Sequence, residues 1–287
     1  MRVVQRSRSL TLLASGVALA LGLTACGFES GSGSDSGSSD GGGDGGALVV
    51  GATAVPAGEV LAYVKDHLAK KAGLDLEIEE FTDYVLPNTA LQEGSLDANL
   101  YQHKPFLDDF NQSKGTDLTA VTEVYLPPMG VYSKKTGDIT ALRDGATVAV
   151  PNDTTNEGRA LQLLADKGVI GLNKDAGPDA SPADIADNPK KLVFKELDPA
   201  QLPRSLDDVD AAVVNNNYAL DAGLSPKKDA ILLESVQGNP YNNVLAVKEG
   251  NQGDPRVKKL AELLTSPEVA RFIRDTYQGS VLPVTGT

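Results

Sequence analysis

The folded part of this chain opens with Leu48-Val49-Val50-Gly51-Ala52-Thr53, a short apolar run bounded by glycine and proline. Such a run is typical of a strand buried in a parallel sheet. A pattern with apolar residues at helical spacing follows it, and the alternating segment 76–81 predicts a second strand. A second helix over about 85–92 and a third strand over 96–101 complete a β-α-β-α-β unit.

The same order of elements recurs downstream. Residues 146–150 have the pattern of a strand, 156–167 of a helix and 192–197 of a second strand. A short helix near 202–206 then precedes a third strand at 209–215. Two such units predict an α/β protein with two lobes, each a mostly parallel sheet flanked by helices. Ligands of open α/β sheets gather beyond the carboxyl ends of the strands, so we expect the ligand in the cleft between the lobes.

The end of the chain adds a strand at 243–247 and a helix that begins near Ser266-Pro267-Glu268. These elements have no unit of their own, so we expect them to return to the first lobe. The chain would then cross between the lobes near Ser133 and near Asn243. The expected division is lobe 1, 47–133 with 244–287, and lobe 2, 134–243.

The first 46 residues have a different composition. Three arginines, a short apolar run and Leu23-Thr24-Ala25-Cys26 together predict a lipoprotein signal peptide over residues 1–25. Cleavage after Ala25 would leave Cys26, the only cysteine, as an N-terminus that carries a diacylglyceryl group. Residues 26–46 are almost entirely Gly, Ser and Asp after this cysteine, which predicts a flexible tether.

The chain is acidic, with 26 Lys+Arg against 39 Asp+Glu and a net charge of −13. Nucleic acid and anionic lipid headgroups repel such a surface, so we expect no nucleic-acid partner and membrane attachment only through the lipid anchor. A single cysteine allows no intramolecular disulfide. Clustered metal ligands are missing from the sequence, and no cofactor is expected.

The sequence also lacks the usual marks of an enzyme. It has two histidines, no His-Glu-x-x-His and no Gly-x-Ser-x-Gly. His103 could serve as a general base, but no nearby serine or acid forms an evident relay with it. We therefore expect a binding protein, with a lipid-anchored hydrolase as the less favoured alternative.

Two kinds of side chain follow the predicted strands. Seven of the 14 aromatic residues fall between Phe81 and Tyr132, which predicts an apolar wall. In the second lobe, residues 151–159 form a loop that opens a helix and ends at Arg159. Free backbone amides at a helix start favour an anion, and an arginine can hold a carboxylate with two N–H groups.

Four long motifs resemble the methionine-binding, NlpA-type lipoproteins of bacterial ABC importers: residues 81–88, 97–107, 150–159 and 201–208. The resemblance covers nearly everything from Leu48 to the end. It implies a two-lobed periplasmic-binding-protein-like fold that captures methionine or a close derivative on the extracytoplasmic face of the cell membrane. It also implies delivery to the permease and ATPase subunits of the importer. Another small amino acid or a methionine-containing dipeptide stays open as the alternative ligand.

The resemblance also implies a set of ligand contacts. These are Phe81, Tyr84 and Tyr101 around the thioether side chain, His103 beside them, Asn156 and Arg159 at the carboxylate, and Asn215 and Asn243 completing the polar grip. Phenylalanine is common in the family at the position of Tyr101. Its hydroxyl is therefore expected to contact ligand or water.

Overall fold

The structure is a computed structural model that describes residues 46–284. The signal peptide, Cys26 and all of the tether except Gly46 lie outside the described residues. The strands are β1 (Leu48–Thr53), β2 (Leu76–Phe81), β3 (Ala98–His103), β4 (Leu118–Leu126), β5 (Gly130–Tyr132), β6 (Thr147–Pro151), β7 (Gly171–Leu172), β8 (Ile185–Asp187), β9 (Val193–Leu197), β10 (Ala211–Val214), β11 (Leu232–Leu233), β12 (Asn243–Lys248) and β13 (Leu282–Pro283). The α-helices are α1 (Glu59–His67), α2 (Leu86–Glu93), α3 (Lys104–Lys114), α4 (Thr154–Asp166), α5 (Leu202–Ser205), α6 (Asn216–Asp221), α7 (Pro226–Asp229), α8 (Pro255–Leu264) and α9 (Pro267–Tyr277).

Two separate sheets form the centres of two lobes. The first sheet has the order β13-β4-β12-β3-β1-β2, and the second has the order β11-β5-β10-β6-β9. Strand β1 runs parallel to β2 and β3, just as β6 runs parallel to β9 and β10. Both lobes thus contain the same three-stranded parallel unit, and antiparallel strands extend each sheet on one side. The prediction of two equivalent β-α-β-α-β units is confirmed.

The two units share one detail that explains an acidic residue before each third strand. The carboxylate of Asp97 accepts a hydrogen bond from the backbone N–H of Val49 at 2.8 Å. In the second lobe, the carboxylate of Asp210 accepts one from the N–H of Thr147 at 2.9 Å. Each aspartate therefore ties the start of the third strand to the first strand of its unit.

The chain leaves the first sheet earlier than expected. Strand β4 ends at Leu126, and Gly130–Tyr132 already pairs with β10 in the second sheet. The crossing therefore precedes Gly130, whereas the sequence placed it near Ser133, because a three-residue strand leaves too little pattern to recognise. On the return, β12 starts at Asn243 in the first sheet.

The terminal helix packs on the first lobe, as predicted. Ser266 caps α9, since its hydroxyl accepts a hydrogen bond from the N–H of Val269 at 3.3 Å. Val269 and Ile273 are fully buried in the core of the first lobe. Burial of an aliphatic side chain of this size contributes about 1.5–3 kcal/mol. Within residues 46–284, no helix has the length and apolarity needed to cross a bilayer.

Candidate ligand-binding site

A cavity lies between the two lobes, at the carboxyl ends of their parallel strands. Its walls come from the end of β3, the start of α4 and the segment after β10. The lining residues are Pro56, Tyr84, Tyr101, Gln102, His103, Phe106, Pro127, Asn156, Arg159, Asn215, Asn216, Asn217 and Asn243. Seven of the eight ligand contacts expected from the sequence are among them.

Phe81 is the exception. It is the last residue of β2, which is the edge strand of the first sheet. Its ring packs over Gly51 of the neighbouring strand and against the cluster that contains Leu91 and Leu96. The structure therefore places Phe81 outside the cavity, because the edge strand β2 lies two strands from β3, on the far side of β1.

The apolar side of the cavity consists of Tyr84, Tyr101 and Phe106. The ring centroids of Tyr84 and Phe106 are 5.8 Å apart, and those of Tyr101 and Phe106 are 6.2 Å apart, both pairs in edge-to-face geometry. Burial raises the pKa of both tyrosines, so their hydroxyls stay protonated. Phe106 is not among the ligand contacts expected from the sequence. Its position in the first turn after β3 is the signal that favours the site.

The hydroxyl of Tyr101 contacts the protein instead of the cavity. It donates a hydrogen bond to the backbone carbonyl of Tyr84 at 2.8 Å. The proton of this hydroxyl is therefore used within the protein and not for a ligand or water. The bond also holds the two tyrosines of the wall together. What Tyr101 offers the cavity is its ring.

His103 is neutral, and both of its nitrogens are engaged. Its Nδ1 accepts a hydrogen bond from the backbone N–H of Phe106 at 3.1 Å and so caps α3. Its Nε2 must then carry the proton, which it donates to Oδ1 of Asn156 at 3.2 Å. Burial, together with the nearby charge of Arg159, lowers the pKa of His103 to about 3. A general base needs a free lone pair, and His103 has none in this arrangement.

Asn156 links the two lobes. The carboxylate of Asp153 caps α4 and accepts hydrogen bonds from the backbone N–H and the side-chain Nδ2 of Asn156, at 3.1 Å and 2.8 Å. The Oδ1 of Asn156 accepts from His103 in the first lobe and from Asn215 in the second, the latter at 2.8 Å. One N–H of Asn156 is left for a ligand.

Close packing fixes the start of α4. A Cβ added to Gly158 would lie 2.1 Å from the carbonyl oxygen of Pro178, so only glycine fits at this position. This contact holds the helix turn between Asn156 and Arg159 against the loop behind it. Packing therefore requires glycine at position 158, between the two site residues.

Arg159 has only part of its donor capacity available. Its Nε and Nη2 donate to the two oxygens of Glu234 at 2.9 Å and 2.6 Å, and Nη2 also donates to the carbonyl of Pro127 at 3.0 Å. Of the five N–H donors of arginine, the two on Nη1 make no hydrogen bond within residues 46–284. Glu234 engages Nε and Nη2, so in this arrangement only Nη1 is left to donate to a ligand carboxylate.

Glu234 and Tyr241 complete the surroundings of the guanidinium, and both lie on the loop between β11 and β12. The ring of Tyr241 lies 4.3 Å from the guanidinium carbon of Arg159 and 5.0 Å from the ring of His103. Burial alone would raise the pKa of Glu234, but the charge and hydrogen bonds of Arg159 hold it below the ordinary value. Neither residue was expected from the sequence, since this loop has no periodic pattern.

Two asparagines that line the cavity with Arg159 have uncommitted amide oxygens. The Oδ1 atoms of Asn215 and Asn216 are buried and accept no hydrogen bond from the described residues. Asn243 donates to the carbonyl of Tyr101 at 2.9 Å, which fixes its side chain at the cavity. The polar end thus combines cationic donors with neutral acceptors, as a carboxylate and an ammonium group together require.

Further hydrogen bonds join the lobes around the cavity. The hydroxyl of Tyr84 donates to the side chain of Asn217, and that of Tyr218 donates to the carbonyl of Thr82 at 3.1 Å. Asn216 donates to the carbonyl of Ser280 at 2.7 Å. The lobes are therefore closed over the cavity. In the part of the chain that the structure describes, no cluster of three metal-binding side chains is present.

Two lobes with equivalent parallel units, closed over a cavity with an aromatic and a polar end, define the class of two-lobed periplasmic-type binding proteins. The chain belongs to the NlpA lipoprotein family, whose model matches residues 48–285. A curated relative in Escherichia coli K12, the D-methionine-binding lipoprotein MetQ, is 42% identical over 231 residues, or 79% of this chain and 85% of the relative.

Other relatives agree with this assignment. A protein of Vibrio cholerae described as a probable D-methionine-binding lipoprotein MetQ is 41% identical over 233 residues, which cover 81% of this chain and 86% of the relative. The solved structure of a nutrient binding protein from Burkholderia cenocepacia bound to methionine is 48% identical, with a TM-score of 0.80. That alignment covers 82% of this chain and 99% of the solved chain.

Proposed function

We propose that this protein is a lipid-anchored, extracytoplasmic solute-binding protein that captures methionine and delivers it to the permease and ATPase of an ABC importer. The observation that carries the proposal is the division of one closed cavity into an aromatic end and a polar end. The names of the relatives support methionine as the ligand, and the signal-peptide motif Leu23-Thr24-Ala25-Cys26 supports the anchor.

The aromatic end suits the side chain of methionine. A thioether is unbranched and polarizable, and each sulfur–ring contact is worth about 0.3–1.5 kcal/mol. Tyr84, Tyr101 and Phe106 present three rings around this end, with Phe106 edge-to-face to both tyrosines and the tyrosines tilted to each other. A flexible, apolar and sulfur-containing chain therefore fits it better than a polar or charged one.

The polar end suits a free α-amino acid. Nη1 of Arg159 can donate to a carboxylate, and the free oxygens of Asn215 and Asn216 can accept from an ammonium group. We assign these three residues to the ligand's charged end, with Asn243 beside them and Asn156 contributing one N–H. The engaged nitrogens of His103 favour binding over hydrolysis.

Native mass spectrometry of protein purified without added ligand tests the proposal most directly, because a closed cavity retains its ligand during purification. We expect a bound mass equal to that of methionine. The mass of a dipeptide or of another amino acid would select the alternative ligand instead.

Calorimetry on ligand-free protein then tests each end of the cavity. Norleucine, in which a methylene replaces the sulfur, should bind about 2–12-fold more weakly than methionine if the rings contact sulfur. The D-enantiomer and methionine amide test the polar end in the same titration series. No measurable binding of either methionine enantiomer would refute the proposed ligand.

A further inference from the structure

Glu234 lies behind the cavity wall, yet it has the strongest contact with the one cation of the lining. It is absent from the lining residues and reaches the cavity only through Arg159. Both of its oxygens bind the guanidinium, and one of them also accepts the backbone N–H of Met129 at 3.0 Å. The two side chains are 2% and 10% exposed, so solvent screens this pair little.

The pair changes the charge that a ligand meets. Arg159 alone would make the polar end cationic, whereas the Arg159–Glu234 pair is neutral as a whole. His103 adds no charge, because burial lowers its pKa to about 3. Asp153 caps the first turn of α4 through Oδ1, while its Oδ2 is buried and accepts no hydrogen bond from the described residues. The positive end of the helix offsets part of its charge, and burial raises its pKa. The residues around the polar end thus offer separate donors and acceptors with little net charge.

We propose that Glu234 is a positioning residue that sets the charge selectivity of the cavity, so that zwitterionic amino acids bind in preference to anions that lack the ammonium group. This inference rests on the proposed function. Glu234 attracts the ammonium group and weakens the pull of Arg159 on a lone carboxylate. It also directs Nε and Nη2 away from the ligand, which leaves Nη1 as the donor.

The experiment compares methionine with its hydroxy-acid analogue, in which a hydroxyl replaces the ammonium group. Calorimetry measures both ligands on the parent protein and on Glu234→Gln, Glu234→Asp and Glu123→Gln, all verified as ligand-free and folded. Glu123→Gln is the matched control, because Glu123 is an exposed acid that accepts a hydrogen bond from Asn242 and does not contact Arg159.

We expect the parent to bind the hydroxy acid at least about tenfold more weakly than methionine. Glu234→Gln should narrow this ratio about tenfold, because it removes one charge and keeps the shape of the side chain. Glu234→Asp keeps the charge and should keep most of the ratio, and Glu123→Gln should leave it unchanged. A purely structural role for Glu234 would lower both affinities together and leave the ratio as it was.

Three results would overturn the inference: a parent that binds both ligands equally, a folded Glu234→Gln variant with the parental ratio, or equal narrowing by Glu123→Gln. Equal binding of both ligands by the parent would overturn it even if Glu234→Gln does not fold. If the parent does not bind methionine at all, the proposed function fails instead. The NMR signal of the Arg159 Nε–H group then still tests the pairing, which requires protection of this group from exchange in the parent.

Discussion

Replacement of Arg159 separates its structural role from its role in binding. In Arg159→Gln, the carboxylate of Glu234 stays buried and loses the partner that donates to both of its oxygens. An uncompensated buried charge costs about 3–5 kcal/mol of folding free energy. We expect Tm to fall by roughly 6–20 °C for a domain of this size.

The double variant Arg159→Gln with Glu234→Gln removes both charges and should recover most of this stability, since a neutral pair leaves no buried charge behind. It should not recover binding. With Nη1 gone, the ligand carboxylate is buried with only amide donors, and we expect a loss of about 2–4 kcal/mol, or roughly 30- to 700-fold in Kd, in both variants.

Thermal unfolding and calorimetry measure the two effects independently. Methionine amide serves as the matched ligand. Because it lacks the carboxylate, its affinity for the variants should be close to its affinity for the parent. A double variant that binds methionine within about threefold of the parent would refute the assignment of Arg159 to the ligand carboxylate.

Three more outcomes are expected. Tyr218→Phe removes the hydrogen bond to the carbonyl of Thr82 that joins the lobes, although Tyr218 does not line the cavity. Calorimetry should show methionine binding weakened about 2–12-fold. Unchanged affinity would show that this bond does not favour closure. Burial and the charges of nearby acids raise the pKa of Glu157 to about 7; the folded protein therefore holds an extra proton between about pH 4.5 and 7, and its stability falls as the pH rises through this window. After allowance for solvent screening, Glu157→Gln should be about 1–2 kcal/mol more stable than the parent in urea unfolding at pH 8 and similar to it at pH 4. A gain of equal size at both pH values would contradict the raised pKa as its cause. Cys26→Ser should leave the protein exported but unanchored, and equal partitioning of variant and parent into the detergent phase would exclude the lipid anchor.

Periodicity was sufficient to predict the architecture. The apolar runs at 48–53 and 146–150 are the first strands of two units, and both lie at the centres of parallel sheets. The antiparallel additions were harder to find. Strands β5, β11 and β13 have three residues or fewer, and β4 pairs with β12 across two register shifts. Their positions follow from tertiary pairing, which short segments do not encode locally.

Seven of the eight ligand contacts that the family resemblance implied line the cavity, but the sequence could not identify which of their atoms are available. Sequence offers Arg159 as a two-nitrogen clamp, whereas the fold brings Glu234, 75 residues away, onto the same two nitrogens. By the rule that ligands gather at strand ends, the end of β2 is equivalent to that of β3, yet Phe81 misses the cleft because β2 lies at the sheet edge. Side-chain partners and strand order are long-range properties.

Four hydrogen bonds that close the lobes around the cavity join neutral groups: His103 with Asn156, Tyr84 with Asn217, Tyr218 with Thr82, and Asn216 with Ser280. Outside the cavity, Lys227 adds one bond from a charged donor to the carbonyl of Gln278 at 3.1 Å. Every ion pair among residues 46–284 lies within one lobe or joins a lobe to its own connecting loop. Dissolved ions screen exposed charges but have little effect on buried neutral hydrogen bonds. We therefore expect the contribution of these four bonds to closure to change little with salt concentration.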